Sequence, residues 1–167
     1  MVNNIDIDTQ KVWSILAAVT DPEVPVLTVT DLGIIRDVKF NDEQVEIVIT
    51  PTYSGCPAMD MISMQIKMAL LEAGYRDIKI TTILSPAWTT DWMTEAGKDK
   101  LKAYGIAPPN PKQQVCTPGL FEAEENIQCP HCNSWHTHRV SEFGSTACKS
   151  LYQCDDCKEP FDYFKCH

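Results

Sequence analysis

Apolar residues recur along the first hundred positions with two different periods, and the alternation of periods sets an order of elements. Val12, Ile15, Leu16 and Val19 fall at i, i+3, i+4 and i+7, the stripe of an amphipathic helix with Asp8 placed to cap it. Pro22 and Pro25 end that helix and force an extended loop through Asp21-Pro22-Glu23-Val24-Pro25. Two strand-like runs follow, residues 34–40 and 44–50, and in the second Val45, Ile47 and Ile49 alternate with Glu46, Val48 and Thr50. The short polar Asn41-Asp42-Glu43 between them predicts a hairpin.

The period then returns to helical. Residues 57–73 predict a second helix ended by Gly74, with Met61, Met64, Met68 and Leu71 along one face. A methionine stripe can serve as a soft-metal or adaptable binding surface, but the expectation is ordinary core packing. A third strand is predicted over residues 78–84, followed by Ser85-Pro86-Ala87-Trp88 and a last helix ending near Tyr104. Trp88 and Trp92 would share a face if that helix begins early, as a partner surface or as buried packing. The resulting order, α-β-β-α-β-α, is a compact α/β (α+β) domain over residues 1–104. Residues 105–119 hold four prolines and no periodicity, which predicts a linker. Residues 120–167 are too few to bury a sufficient core unaided.

What holds that tail is written in its cysteines. Cys129-x-x-Cys132 and Cys154-x-x-Cys157 each offer two thiolates from one turn, and two such turns close a tetrahedron around a metal ion. The expectation is a zinc-ribbon-like module with structural zinc, although four thiolates also accept iron or a cluster. Cys148 and Cys166 remain as additional thiols, with His131, His136, His138 and His167 also in the tail. His131 lies inside its Cys-x-x-Cys turn and is expected to be a bystander.

Composition narrows the function classes. Hydrophobic residues make up 44% of the 167, enough for a packed core. The first ten residues are polar and acidic, and no apolar run nears the roughly 20 residues of a membrane span. The expectation is a cytoplasmic protein whose eight cysteines bind metal or react rather than form a disulfide framework. The net charge of -9 is spread over both parts: residues 120–167 hold four Lys/Arg against eight Asp/Glu. An acidic ribbon repels a phosphate backbone, so nucleic acid is excluded as a partner.

Function points to an isolated cysteine, Cys56, at the predicted start of the second helix in Thr50-Pro51-Thr52-Tyr53-Ser54-Gly55-Cys56-Pro57. A helix N-terminus favours an anion and so a thiolate, the form that ligates iron or attacks an electrophile. The alternative is a small buried hydrophobe. Asp21 and Glu23 are a second candidate pair, with a metal, a basic partner or simple solvation as their uses. A covalent nucleophile at Cys56 would need a positioned base, and every histidine lies at 131 or beyond.

Taken together, Asp21-Pro22-Glu23, Thr30-Asp31-Leu32-Gly33-Ile34-Ile35, the Cys56 segment and Ser85-Pro86-Ala87-Trp88 resemble the small α/β family of iron–sulfur assembly factors that includes SufT-type proteins. With Cys129-Pro130-His131-Cys132, residues 143–149, Cys154-Asp155-Asp156-Cys157 and residues 159–166, the whole chain resembles the PaaD family, the D components of bacterial phenylacetyl-CoA epoxidase systems. The resemblance implies an accessory, non-catalytic role in phenylacetate breakdown, maturing or repairing an iron or iron–sulfur centre. Its implied partners are the oxygenase and reductase components, with a homo-oligomer as a further option. A structural subunit of the oxygenase is the other role it allows. In the resemblance Cys56 takes the place of the family's reactive cysteine, carrying transient iron or a cluster, and Asp21 and Glu23 that of its acidic loop.

Overall fold

A computed structural model describes residues 4–109 and 126–165, with the side chains of residues 4–7 excepted. The chain divides into two units, Met1–Gly97 and Lys98–His167. Unit 1 holds α1 (Asn4–Leu16), β1 (Ile35–Asn41), β2 (Gln44–Ile49), α2 (Ala58–Glu72) and β3 (Asp77–Thr82). A 3-10 turn at Thr90–Trp92 then leads into α3 (Glu95–Tyr104), within which the boundary falls rather than after it. The architecture is mixed α+β, in the expected order. Asp8 lies inside α1 rather than at its cap, because nothing between Asn4 and Gln10, neither glycine nor proline, stops the helix from starting earlier.

The sheet of unit 1 is three-stranded, in the order β1-β2-β3. The β1–β2 hairpin is antiparallel, from Ile35 opposite Ile49 to Asn41 opposite Gln44. The β2–β3 pair is parallel, from Gln44 beside Asp77 to Ile49 beside Thr82. A parallel pair cannot be closed by a tight turn, so α2 makes the crossover. Helix α2 ends on Gly74 at φ +100°, where Gly74 N–H donates to Leu71 O and Tyr75 N–H to Leu70 O, satisfying the last carbonyls.

Helix α2 carries two apolar stripes, and the structure buries the other one. Ala58, Ile62, Ile66 and Leu70 form the buried face, with α2 against β3 and α1. Met61, Met64, Met68 and Leu71 are 50%, 58%, 54% and 45% exposed, so the methionine stripe is not core. Both stripes obey a helical period, and the stiffer β-branched side chains fill the interior next to the sheet.

The Thr30-Asp31-Leu32-Gly33 segment fastens the end of unit 1. Asp31, buried, accepts from Thr28 N–H through Oδ2 at 3.0 Å and from the Thr94 hydroxyl through Oδ1 at 3.2 Å. Its carbonyl also accepts from Thr94 N–H. Trp88 is buried and its indole N–H donates to Leu32 O at 2.9 Å, whereas the Arg36 guanidinium lies over the Trp92 ring at 3.5 Å. The two tryptophans therefore do not share a helix face. Gly33 has φ +67°, and a Cβ there would run into the Trp92 carbonyl oxygen.

In unit 2 the sheet order is β4-β7-β6-β5, with β4 (Ile106–Ala107), β5 (Thr137–Ser141), β6 (Lys149–Cys154) and β7 (Pro160–Phe164). The linker expected over residues 105–119 thus begins as ribbon, since β4 pairs in parallel with β7; residues 110–125 lie outside the described residues. Two residues are too few to show a period, and the prolines that follow masked the strand. The ribbon core comprises Ala107, Ile127, Cys129, Tyr152, Cys154, Phe161 and Tyr163. Tyr152 stacks on Phe161 and meets Tyr163 edge-on, with centroids 5.9 and 5.7 Å apart.

Gly33→Ala adds a methyl into the Trp92 carbonyl at a backbone angle that L-residues rarely adopt. The expected loss of stability is about 2–4 kcal/mol, read from urea unfolding of unit 1. A loss below about 0.5 kcal/mol would show that this turn does not constrain the fold.

Candidate functional site

The four ribbon cysteines come together. All four Sγ atoms of Cys129, Cys132, Cys154 and Cys157 lie within 4.8 Å of one another. Cys129 Sγ is 3.7 Å from Cys157 Sγ, and Cys132 Sγ is 3.6 Å from Cys154 Sγ. Disulfide sulfurs stand about 2.05 Å apart, so neither pair is one. A tetrahedron with metal–sulfur bonds of about 2.3 Å has edges of about 3.8 Å, and the cluster fits it.

Both turns are closed in the same way. Asn133 N–H donates to Cys129 O and Cys129 N–H to Ser134 O; likewise Lys158 N–H donates to Cys154 O and Cys154 N–H to Glu159 O. Asn133 and Lys158, each following the second cysteine of its turn, take φ +61° and +64°. Around them Asp156 accepts from the Ser134 hydroxyl and sits 3.3 Å from His136 Nδ1, and His138 Nδ1 is 3.1 Å from Asp155. The Ser134 bond and the His136 contact hold the Asp156 carboxyl below its usual range.

As free thiols Cys132, Cys154 and Cys157 would titrate unequally. Backbone N–H groups, that of Cys157 first, draw Cys154 down to about 7. The Glu159 N–H acts the same way on Cys157, but burial and the neighbouring sulfurs outweigh it and push that thiol up to about 12. For Cys132 the Ser134 backbone N–H lowers the thiol, yet burial and neighbouring thiols leave it raised. Four thiolates in one cluster repel, and a divalent cation supplies the compensating charge.

Of the other tail cysteines, Cys148 is buried outside the cluster, its Sγ 3.0 Å from the Thr146 hydroxyl, and Cys166 lies outside the described residues. His131 is exposed in its turn. Sequence reasoning missed a second fastening: buried Lys149 donates through Nζ to Ser145 Oγ at 2.8 Å, and Ser145 donates to Asp162 Oδ2 at 2.6 Å. That relay ties the loop before β6 to β7. Its signal was the run Ser145-x-x-x-Lys149, which spacing alone does not pair with Asp162.

Cys56 sits at one end of the unit 1 sheet. It is partly exposed, directly precedes Pro57, the N-cap of α2, and closes a short turn through its N–H to Tyr53 O. The carboxyl ends of the parallel strands β2 and β3 and the start of β1 lie at this end, where open α/β sheets bind ligands. Thr50 N–H donates to Ile34 O and Ile83 N–H to Ile49 O, so the loops before β1, after β2 and after β3 converge there. Thr50 is fully buried, and its hydroxyl has no hydrogen-bond partner among the described residues.

Asp21 lies in the loop before β1 and is buried, not solvated. Its Oδ1 accepts from Glu23 N–H at 2.6 Å and Val24 N–H at 2.9 Å, which ties the carboxylate to its own loop and not to Cys56. Glu23 is half-buried in the same loop.

Because two ligand cysteines are also core residues, metal and ribbon core stand together. Zinc chelation, or Cys129→Ser, is expected to unfold unit 2 while the amide NMR signals of unit 1 persist; loss of both sets together would contradict independent cores. Zinc binding at pH 7 is expected to release about two or more protons, since Cys132 and Cys157 are held protonated. Calorimetry in buffers of different ionisation enthalpy reads this number, and release of none would contradict thiolate ligation.

Comparison with known proteins matches both parts. Residues 9–81 match the iron–sulfur cluster assembly protein family, and residues 113–165 the PaaD zinc beta ribbon domain. A protein of Escherichia coli strain K12, named as the D component of 1,2-phenylacetyl-CoA epoxidase, is 48% identical over 93% of this chain and 92% of its own. An Fe-S protein maturation auxiliary factor of Porphyromonas gingivalis is 35% identical over 56% of this chain and 91% of its own. The crystal structure of a domain of unknown function, DUF59, from Bacillus anthracis superposes with a TM-score of 0.54 at 26% identity, over 57% of this chain and 92% of that one. The chain belongs to the PaaD family of phenylacetyl-CoA epoxidase D components, an iron–sulfur cluster assembly domain followed by a PaaD zinc β-ribbon.

Proposed function

We propose that this protein is an accessory factor of a phenylacetyl-CoA epoxidase system that helps to mature or repair an iron or iron–sulfur centre of the oxygenase or reductase. One observation carries this reading. Cys56 alone among the described cysteines follows the carboxyl end of the parallel strand β2, partly exposed, while four others are gathered in the ribbon. The match of residues 9–81 to the assembly family and the relatives named as Fe-S protein maturation factors support it.

In this account the two metal sites do different work. The ribbon holds one zinc on Cys129, Cys132, Cys154 and Cys157, and four protein ligands leave no position for exchange. Iron or a cluster is cargo at Cys56. A single thiolate binds it without enclosing it, which lets the cargo leave. Asp21 shapes the neighbouring loop through its two backbone bonds, and Glu23 adds negative charge there.

A second reading is favoured by the name of the Escherichia coli relative, which makes that protein a component of the epoxidase itself. Order of addition separates the two. Oxygenase and reductase produced without this protein are expected to stay poorly active when it is added during assay, and to gain activity when it is present with iron and sulfide during their maturation. Cys56→Ser is expected to cut that gain at least about tenfold, a loss of about 1.4 kcal/mol or more of effective coupling. Full activity on simple addition, with either chain, would establish the structural-component reading instead.

A further inference from the structure

The exposed stripe on α2 has a pattern of its own. Met61, Met64, Met68 and Leu71 are spaced 3-4-3, which is an a/d seam over two heptads, and they face away from the buried Ala58, Ile62, Ile66 and Leu70. In that frame Asp60 and Lys67 occupy g positions, and Gln65 and Glu72 occupy e positions. We propose that a second copy of this chain packs its α2 in parallel along this seam, bringing the two Cys56 residues to the same end of the pair.

Parallel pairing is the match that the flanking charges favour. In a parallel seam g faces the e position five residues on, so Lys67 meets Glu72 of the second copy, twice by symmetry, and Asp60 meets the uncharged Gln65. An antiparallel seam that sets Met61 on Leu71 would place Lys67 beside its own copy. Four half-exposed side chains cover well below the roughly 800 Å² per partner of a standard interface. Residues 1–97 also carry six Lys/Arg against fourteen Asp/Glu, which opposes close approach of two copies. The pair is therefore weak, salt-strengthened and reversible.

Weakness has a use at this site. Cys56 lies two residues before α2 begins, so parallel helices deliver two thiolates to one end, where a single chain offers one. Cargo iron held by both copies would tighten the pair, and separation of the copies would release it. This sharing rests on the transfer reading of Cys56; the seam does not.

Sedimentation of the zinc-loaded full chain over a concentration series tests the seam. The weight-average mass is expected to rise from 18.8 kDa toward twice that value, and more readily in high salt. Lys67→Glu and Glu72→Lys are each expected to weaken association at least about threefold, and the double swap to restore it. Mild diamide oxidation is expected to give a Cys56–Cys56 disulfide dimer in the wild type and in the double swap. A mass fixed at 18.8 kDa at every concentration, or association indifferent to both single swaps, overturns the proposal, as would a partner helix of another protein being required. Iron retained undiminished by dissociated Lys67→Glu would overturn the sharing while the Cys56 reading stands. Restored dimers that bind no iron would support the seam and count against that reading alone.

Discussion

The parallel pairing of β2 with β3 is the constraint on which the site depends. It forbids a tight turn between them and sends the chain through α2, whose N-terminus must then start where β2 ends. Cys56 lies in that short passage. The hairpin with β1 and the bonds from Thr50 to Ile34 and from Ile83 to Ile49 bring the neighbouring loops to the same place. The Asp31 network and the Trp88 bond then lock the segments on either side. A partly exposed thiol is thereby presented from a rigid frame, with a buried hydroxyl, unpartnered among the described residues, at the base of its loop.

The ribbon solves a different problem by different means. Among the described residues seven form its main buried cluster, and two of them belong to the four-cysteine group. Hydrophobic burial in so small a unit is insufficient alone, and metal coordination worth about 10–16 kcal/mol in comparable modules changes that balance. A metal held by all four sulfurs would have no open position for exchange. In the proposed function a division of labour follows from coordination number: four ligands would keep a metal, and a single one would hand it on.

Much of this was legible in the residues alone. Two Cys-x-x-Cys turns announce a tetrahedral cluster because ligand spacing within a turn is a local property. Strands β1 and β2 and the end of α2 at Gly74 also follow from local period and turn chemistry. Long-range choices were not legible. Helix α2 has two apolar stripes, and only the sheet decides that Ile62 and Ile66 go in while Met64 and Met68 stay out. Asp21 reads as a solvated loop acid until its amide partners are seen, and Ile106–Ala107 is invisible as a strand until β7 lies beside it. Convergence of the three loops on the Cys56 end is a consequence of topology, which no spacing records.

The most direct test is the zinc, iron and acid-labile sulfide content per chain of anaerobically purified protein, beside Cys56→Ser. Zinc near one per chain is expected in both. Iron, with or without sulfide, is expected in the wild type and is lost in the variant. Iron retained in full by Cys56→Ser, or zinc alone in both proteins, would contradict a transfer site at Cys56.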